Sequence, residues 1–223
     1  MKVLLPILLA IVIVGGIFYF KSPKDSANPS TVSEIEVPEG EEISKEFEGT
    51  FVFDAEQSNA KWTGSKKIVK NYFDSGTIDI KSGNVSFQNG EIENGEIVFD
   101  MTSIKATSTG KGDGEDSLTK HLKSEDFFEV ETYPEAKYTV KSSTKTADGY
   151  KLEGDLSLKA KTNPVTVNIK TATENGNAVI AGIAEINRAQ FDVKFGSESF
   201  FDDLGDNVIN DIFTIEFNIV ARP

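Results

Sequence analysis

The stretch Phe213-Thr-Ile-Glu-Phe-Asn-Ile-Val-Ala, residues 213–221, decides the fold. Phe213, Ile215, Phe217 and Ile219 recur at every second position, with Thr214, Glu216 and Asn218 between them. A period of two puts successive side chains on opposite faces of a strand, so one face meets a core and the other meets water. The same alternation runs upstream through Ile78/Ile80, Val85/Phe87, Ile97/Phe99/Met101, Ala136/Tyr138/Val140 and Leu152/Gly154/Leu156/Leu158. Pro164 opens a further set, Val165/Val167/Ile169, and the run Ala178–Ile186 follows. Between these segments lie Asn89-Gly90, Asn94-Gly95, Asp148-Gly149 and Asn175-Gly176, each read as a turn because such pairs adopt the positive φ of tight hairpins. About eight to nine antiparallel strands are predicted. A sheet of that size closes into a barrel or folds into a sandwich to protect its edges.

One helix is predicted, Glu115–Lys123, with Leu118 and Leu122 on one face and Asp116 or Ser117 as N-cap. It falls in the longest loop, roughly residues 105–134, which a tight-turn protein would use as a lid or plug. Phe127 and Phe128 follow it. Successive residues cannot both face inward on a strand, so one is expected to plug the barrel and the other to contact the loop. Phe200 and Phe201 pose the same question in a second loop. Phenylalanines at a barrel mouth serve ligand entry, membrane contact or plain plugging.

Residues 3–20, VLLPILLAIVIVGGIFYF, are an unbroken apolar run of 18. At about 1.5 Å per residue it spans roughly 27 Å of helix, close to a bilayer's hydrocarbon thickness. It is longer than the apolar region of a cleaved signal peptide, and no A-x-A-like site follows closely. Residues 1–20 are therefore read as an uncleaved membrane anchor rather than a signal, and either reading exports the rest. Residues 21–46, rich in Pro, Ser and acidic side chains, read as a flexible acidic linker. Residues 47–223 fit one domain.

Composition narrows the chemistry. The 223 residues carry 36 acidic and 23 basic side chains, one histidine and no cysteine, for a net charge of −13. Disulfides, thiolate nucleophiles and multi-histidine metal sites are excluded. A nucleic-acid partner is disfavoured by charge. The clusters Asp113/Glu115/Asp116 and Asp202/Asp203/Asp206 lack the spacing of a calcium loop and read as solvated turns. No metal or cofactor is expected. A Ser-His-Asp hydrolase would need His121, but Gly196-Ser-Glu-Ser-Phe departs from the nucleophile pattern G-x-S-x-G. His121 reads as a loop-positioning hydrogen-bond former or a contact to a ligand's head group. Arg188, read as a strand residue, needs a partner if it points inward, and Asp211 is the candidate. The pair is either a barrel-end salt bridge or faces a ligand's polar end.

The stretch His121-Leu-Lys-Ser-Glu-Asp-Phe-Phe-Glu-Val-Glu-Thr-Tyr-Pro-Glu-Ala resembles the signature H-L-x-S-x-D-F-F-D-V-x-x-Y-P-x-A of the YceI-like family. Trp62-Thr-Gly resembles its W-x-G, Asp100-Met-Thr-Ser-Ile its D-M-x-S-I, and Asn187-Arg188-Ala-Gln-Phe-Asp-Val its D-R-x-x-F/W-x-V. Gly154-Asp-Leu-Ser-Leu-Lys-Ala-Lys-Thr-Asn-Pro-Val also resembles a family segment, with Ala160 where glycine is usual. The resemblance covers about residues 50–222. It implies an all-β, eight-stranded, lipocalin-like antiparallel barrel with an internal apolar cavity, in an exported protein that binds a long-chain isoprenoid or other fatty, amphiphilic lipid. Candidate cavity or mouth residues are Trp62, Phe99, His121, Phe127, Phe128, Tyr138, Leu156, Arg188 and Phe217. The small residues Gly154, Gly182, Ala178, Ala181 and Ala184 either leave cavity volume or relieve crowding at a barrel corner. The expected role is sequestration beside the membrane, without catalysis. The alternatives are a filled structural or stress-related envelope barrel and an esterase-like enzyme; homodimerisation is left open.

Overall fold

The computed structural model describes residues 40–44 and 47–223. The apolar run 3–20 and most of the 21–46 segment lie outside the described residues, so the expected anchor does too. The alternating segments form nine strands: β1 (Gly49–Phe53), β2 (Asn59–Ser65), β3 (Phe73–Gln88), β4 (Glu91–Ser108), β5 (Glu135–Thr146), β6 (Gly149–Leu158), β7 (Lys161–Glu174), β8 (Asn177–Asn187) and β9 (Ile212–Arg222). β1 and β2 occupy one place in the sheet. Both pair antiparallel with β3 and with β9, β1 at residues 84–87 of β3 and β2 at residues 73–78. The sheet therefore has eight strand positions, and the pairing of β3 with β4 closes it into a barrel. Closure removes the free edges that an open sheet would expose.

The inward faces match the alternation. Ile78, Ile80, Val85, Phe87, Ile97, Phe99 and Met101 are all buried. Two predicted turns, Asn89-Gly90 and Asn175-Gly176, adopt positive φ at both residues. Asn94-Gly95 does not turn. Both residues lie within β4, paired to Ser86 and Val85 of β3. Gly95 instead permits a close approach, since a Cβ there would stand 3.0 Å from the Asn84 carbonyl oxygen. Pro164 likewise sits inside β7, opposite Asp155 of β6, at a point where the β7–β8 ladder has not yet begun. Its missing N–H costs no ladder bond there.

The two barrel ends differ. One is closed by short hairpins and by an aromatic plug: Phe47 stacks on Phe51 at 4.4 Å between ring centroids, and both meet Phe87 edge-on. At this end Glu41 exchanges two backbone hydrogen bonds with Thr173 of β7, so the chain enters the domain there. The other end, the mouth, carries the long connections 66–72, 109–134 and 188–211. Across it lies α1 (Glu115–Lys123), as predicted, with Leu122 buried. Its N-cap is Gly114, in the left-handed region with φ 91° and no side-chain cap, not Asp116 or Ser117. Thr109 Oγ1 donates to the Asp113 carbonyl and closes a tight loop that starts the helix one residue before Asp116. Glu115 and Asp116 then favour the helix N-terminus by charge alone. Ala106 N–H donates to Thr119 Oγ1 at 2.9 Å and fastens α1 to β4.

Candidate ligand-binding site

Two apolar chambers follow one another inside the barrel. The inner chamber has a volume of about 80 Å³, and its wall includes Val85, Ile97, Tyr138, Leu152 and Phe217. The mouth chamber has about 120 Å³, and its wall includes Trp62, Met101, Leu122, Phe127, Phe128 and Phe213. Phe99, Leu156, Ile186 and Ile215 line both, so the two chambers share a waist at these residues. An eight-stranded barrel has an interior of this order, able to take side chains or one slender molecule.

Aromatic rings laid over wall glycines shape that interior. Phe217 of β9 covers Gly182 of β8, its direct ladder partner, and a Cβ at Gly182 would come within 2.2 Å of the ring. Trp62 covers Gly76 in the same way across β2 and β3, and Phe53 covers Gly83. Tyr138 covers Gly154. Gly154 and Gly182 therefore leave no void of their own; they let a ring lie flat against the wall, which keeps the barrel axis open. Ala184 does line the inner chamber. Ala181 has the opposite parity along β8 and faces outward.

The mouth departs from the expectation for Phe127 and Phe128. Both are buried and both line the mouth chamber, because they sit on a turn and not on a strand. Along a turn successive side chains need not alternate. The Phe127 carbonyl accepts from Lys159 Nζ at 2.7 Å, which ties this turn to the β6–β7 hairpin. His121 lines neither chamber. Its Nε2 lies 3.3 Å from Asp126 Oδ2, and its ring packs edge-on against Phe127 and Phe195. It holds the loop. The Ser124 hydroxyl, three residues on, donates to the His121 carbonyl and not to its imidazole. Phe200 and Phe201 are both exposed.

Arg188 is not a strand residue. It opens a short 3₁₀ turn just after β8 and is almost fully buried. Its guanidinium donates to four backbone carbonyls: Asn210, Val193, Phe195 and Ile209, at 2.8–3.1 Å. Asp211 Oδ1 lies 3.3 Å from Nη2 as the expected ion-pair partner, while Oδ2 accepts from Ser199 Oγ. Burial lowers the arginine's pKa and Asp211 opposes that shift. Arg188 thus knits the 188–211 connection together, and it also lines the mouth chamber.

Sequence reading passed over Asp74. Its carboxyl lines the mouth chamber and accepts from Gly110 N–H at 2.9 Å. Burial raises its pKa above the usual carboxylate value. Its position on β3 has inward parity with Gly76 and Ile78, a signal available in the sequence but masked by its charge. Among the described residues no group of three or more His, Asp or Glu side chains is placed to hold a metal ion.

A closed, eight-position antiparallel barrel with an enclosed apolar interior and a helix-covered mouth is a lipocalin-like barrel in architecture. The family model of the YceI-like domain matches residues 51–221, and the chain belongs to that family. Protein YceI of Escherichia coli is 34% identical over 71 residues, 32% of this chain and 37% of that protein. UPF0312 protein plu2095 of Photorhabdus laumondii is 44% identical over 55 residues, 25% of this chain and 29% of that one. The matched stretches thus span well under half the length of these curated relatives. Among solved structures, Burkholderia cenocepacia BcnA superposes with a TM-score of 0.60 at 21% identity, covering 76% of this chain and 99% of that one. A polyisoprenoid binding domain from Saccharophagus degradans, implicated in plant cell wall breakdown, gives 0.55 at 19% identity, covering 77% and 97%. At such identities these two share the fold.

Proposed function

We propose that this chain is an exported binding protein that houses one long apolar chain, of polyisoprenoid or similar amphiphilic type, and does no covalent chemistry on it. The observation that carries this reading is that two apolar chambers adjoin inside the barrel, with Phe99, Leu156, Ile186 and Ile215 in both linings. A slender hydrocarbon reaching from one to the other fits that arrangement better than a compact solute. Apolar burial contributes about 25 cal/mol per Å², so several hundred Å² gives several kcal/mol before ordering costs. The polyisoprenoid binding of the Saccharophagus domain supports the same ligand class on the same fold.

The apolar run 3–20 supports a membrane-tethered barrel facing the periplasm or exterior, beside the bilayer where such molecules reside. Mass spectrometry of an organic extract of the full-length protein purified from membranes tests the binding reading. A co-purifying long-chain lipid is expected; a clean extract from a folded barrel points to a filled structural barrel instead. Deleting residues 1–20 should release the protein from the membrane fraction, and unchanged partitioning would overturn the tether.

A further inference from the structure

We propose that the rim of the barrel mouth is a bilayer-docking surface, which seats the mouth against a zwitterionic membrane while the tether leaves from the opposite end of the barrel. This rests on the tethered reading above and adds how the barrel is oriented. Among the described residues six large apolar side chains are exposed, and five of them stand at the mouth: Ile68, Phe195, Phe200, Phe201 and Ile212, at 40–58%. The sixth, Val52, is at the closed end. The five belong to one connected rim. Ile68 follows Lys67, whose side chain pairs with Glu198 and whose N–H donates to the Val208 carbonyl. Phe200 and Phe201 share a turn, and both of their N–H groups donate to the Ser197 carbonyl. Ile209 N–H donates to the carbonyl of Gly196, beside Phe195, and Ser199 Oγ donates to Asp211, beside Ile212. Exposed apolar side chains gathered in this way, among polar neighbours, mark an interaction surface.

What covers the rim follows from its surroundings. The half-exposed Phe195 ring packs on Phe127, 5.5 Å between centroids, and Phe127 lines the mouth chamber. One ring thus joins the outer patch to the chamber wall, and a bilayer is the surface from which a long apolar chain can pass inward. Lys194 Nζ stands 5.5 Å over the Phe200 ring and pairs with Asp192. A lysine so placed keeps its charge at headgroup level while the ring beneath it enters the acyl boundary. On the same connections the carboxylates of Asp202, Asp203 and Asp206 outnumber Lys66 and Lys70. A strongly anionic surface repels such a rim, whereas zwitterionic headgroups bring ammonium groups to the carboxylates. The tether allows this orientation. The described chain enters at Gly40 and Glu41, at the closed end, where Glu41 bridges Thr173. Residues 21–39 reach at most about 65 Å when fully extended. β8, which runs from the closed end to the mouth, is 11 residues and so about 36 Å long. The linker therefore spans the barrel with slack. Confinement by the apolar run 3–20 raises the local concentration of the rim at the bilayer, so a modest apolar contact suffices.

The chain has no cysteine, so one introduced thiol carries one label. Full-length protein with Ile68→Cys, Phe201→Cys or Val52→Cys is labelled with an environment-sensitive dye and reconstituted into phosphatidylcholine vesicles. A fraction of the lipid carries a spin label in the upper part of its acyl chain. The dyes at 68 and 201 should shift to the blue and be quenched at least about twofold more than the dye at 52. Adding Phe200→Ser to the Ile68→Cys chain should reduce that quenching at least about twofold and leave the melting temperature unchanged, because Phe200 is exposed. Replacing about half of the lipid by phosphatidylglycerol should weaken the quenching at 68 and 201, and added salt should restore it. The inference is overturned if all three dyes are quenched alike, if the dye at 52 is quenched most, if Phe200→Ser changes nothing, or if phosphatidylglycerol strengthens the quenching. In each of those cases a chain that still floats with the vesicles keeps the tether intact. A chain that leaves the vesicles altogether overturns both.

Discussion

Tyr138 of β5 donates its hydroxyl hydrogen to the carbonyl of Val165 on β7, 3.1 Å away, across the intervening strand β6. The residue it crosses is Gly154, paired to Val140 on one side and Val165 on the other. Three strands are thus pinned by one phenol lying flat on the chamber wall. Burial, with Glu153 and Asp155 nearby, pushes the Tyr138 pKa well above the usual tyrosine range, so the hydroxyl stays a donor at any working pH.

Adding a methyl at Gly154 tests the arrangement. The new Cβ would meet the Thr139 carbonyl oxygen at 2.3 Å and the Tyr138 ring at 2.6 Å. Gly154→Ala should cost about 1–3 kcal/mol in urea unfolding, and Tyr138→Phe about 1 kcal/mol. A neutral Gly154→Ala would mean the ring is free to move off the wall.

Phe217 and Thr214 lie on opposite faces of β9. Phe217→Asp puts a carboxylate into the inner chamber; it should abolish uptake of a fluorescent long-chain probe and lower stability by about 3 kcal/mol or more. Thr214→Asn, on the outer face, should change stability by less than about 0.5 kcal/mol and leave uptake intact. Equal tolerance at both positions would contradict the register.

Arg188→Met removes the donors of four backbone carbonyls and leaves the Asp211 carboxylate without its cation. A loss of about 3–5 kcal/mol is expected. Asp211→Asn should cost less, because the amide oxygen can still accept from Ser199 Oγ. Denaturant melts of the two variants give the comparison directly.

The β6–β7 hairpin turns through Lys159 and Ala160 at φ 48° and 55°. Left-handed backbone costs an L-residue about 1–2 kcal/mol that glycine does not bear. Ala160→Gly should therefore stabilise the domain by about 1 kcal/mol, a rise of roughly 2–4 °C in Tm. Lys159→Gly should gain less, since it also loses the hydrogen bond to the Phe127 carbonyl.

Asp74 carries a pH dependence. Burial raises its folded pKa, so the folded protein holds this proton at a pH where the unfolded chain has released it. Its contribution to stability falls as pH rises from the ordinary carboxylate range through the raised value. Asp74→Asn keeps an oxygen for Gly110 N–H and discards the charge. The variant should be the more stable at neutral pH, with the advantage shrinking towards about pH 4, where unfolded aspartate itself protonates. A constant offset in Tm across that range would place the origin elsewhere.

The parity of Trp62, Phe99, Tyr138, Leu156 and Phe217, and so their inward direction, was legible in the sequence. Alternation is a local property of an extended chain and needs no partner strand to express it. Helix α1 was legible for the same reason, down to Glu115–Lys123, because Leu118 and Leu122 repeat at its own period. Whether Asn94-Gly95 turns was not, since a turn forms only if the strand beyond it has somewhere to pair, and here β3 gives β4 a ladder to run along from Ser75 to Gln88. Nor could the chain reveal that its wall glycines sit beneath rings. Gly182 and Phe217 are far apart in sequence and meet only through the β8–β9 register. Arg188 reads as a ligand contact or a salt bridge until Asn210, Val193, Phe195 and Ile209 arrive with their carbonyls. Faces are set by neighbours one or two residues away, and the alternation shows them. What fills, seals or satisfies a buried place depends on residues brought together by closure of the barrel, and that was decided by the tertiary structure.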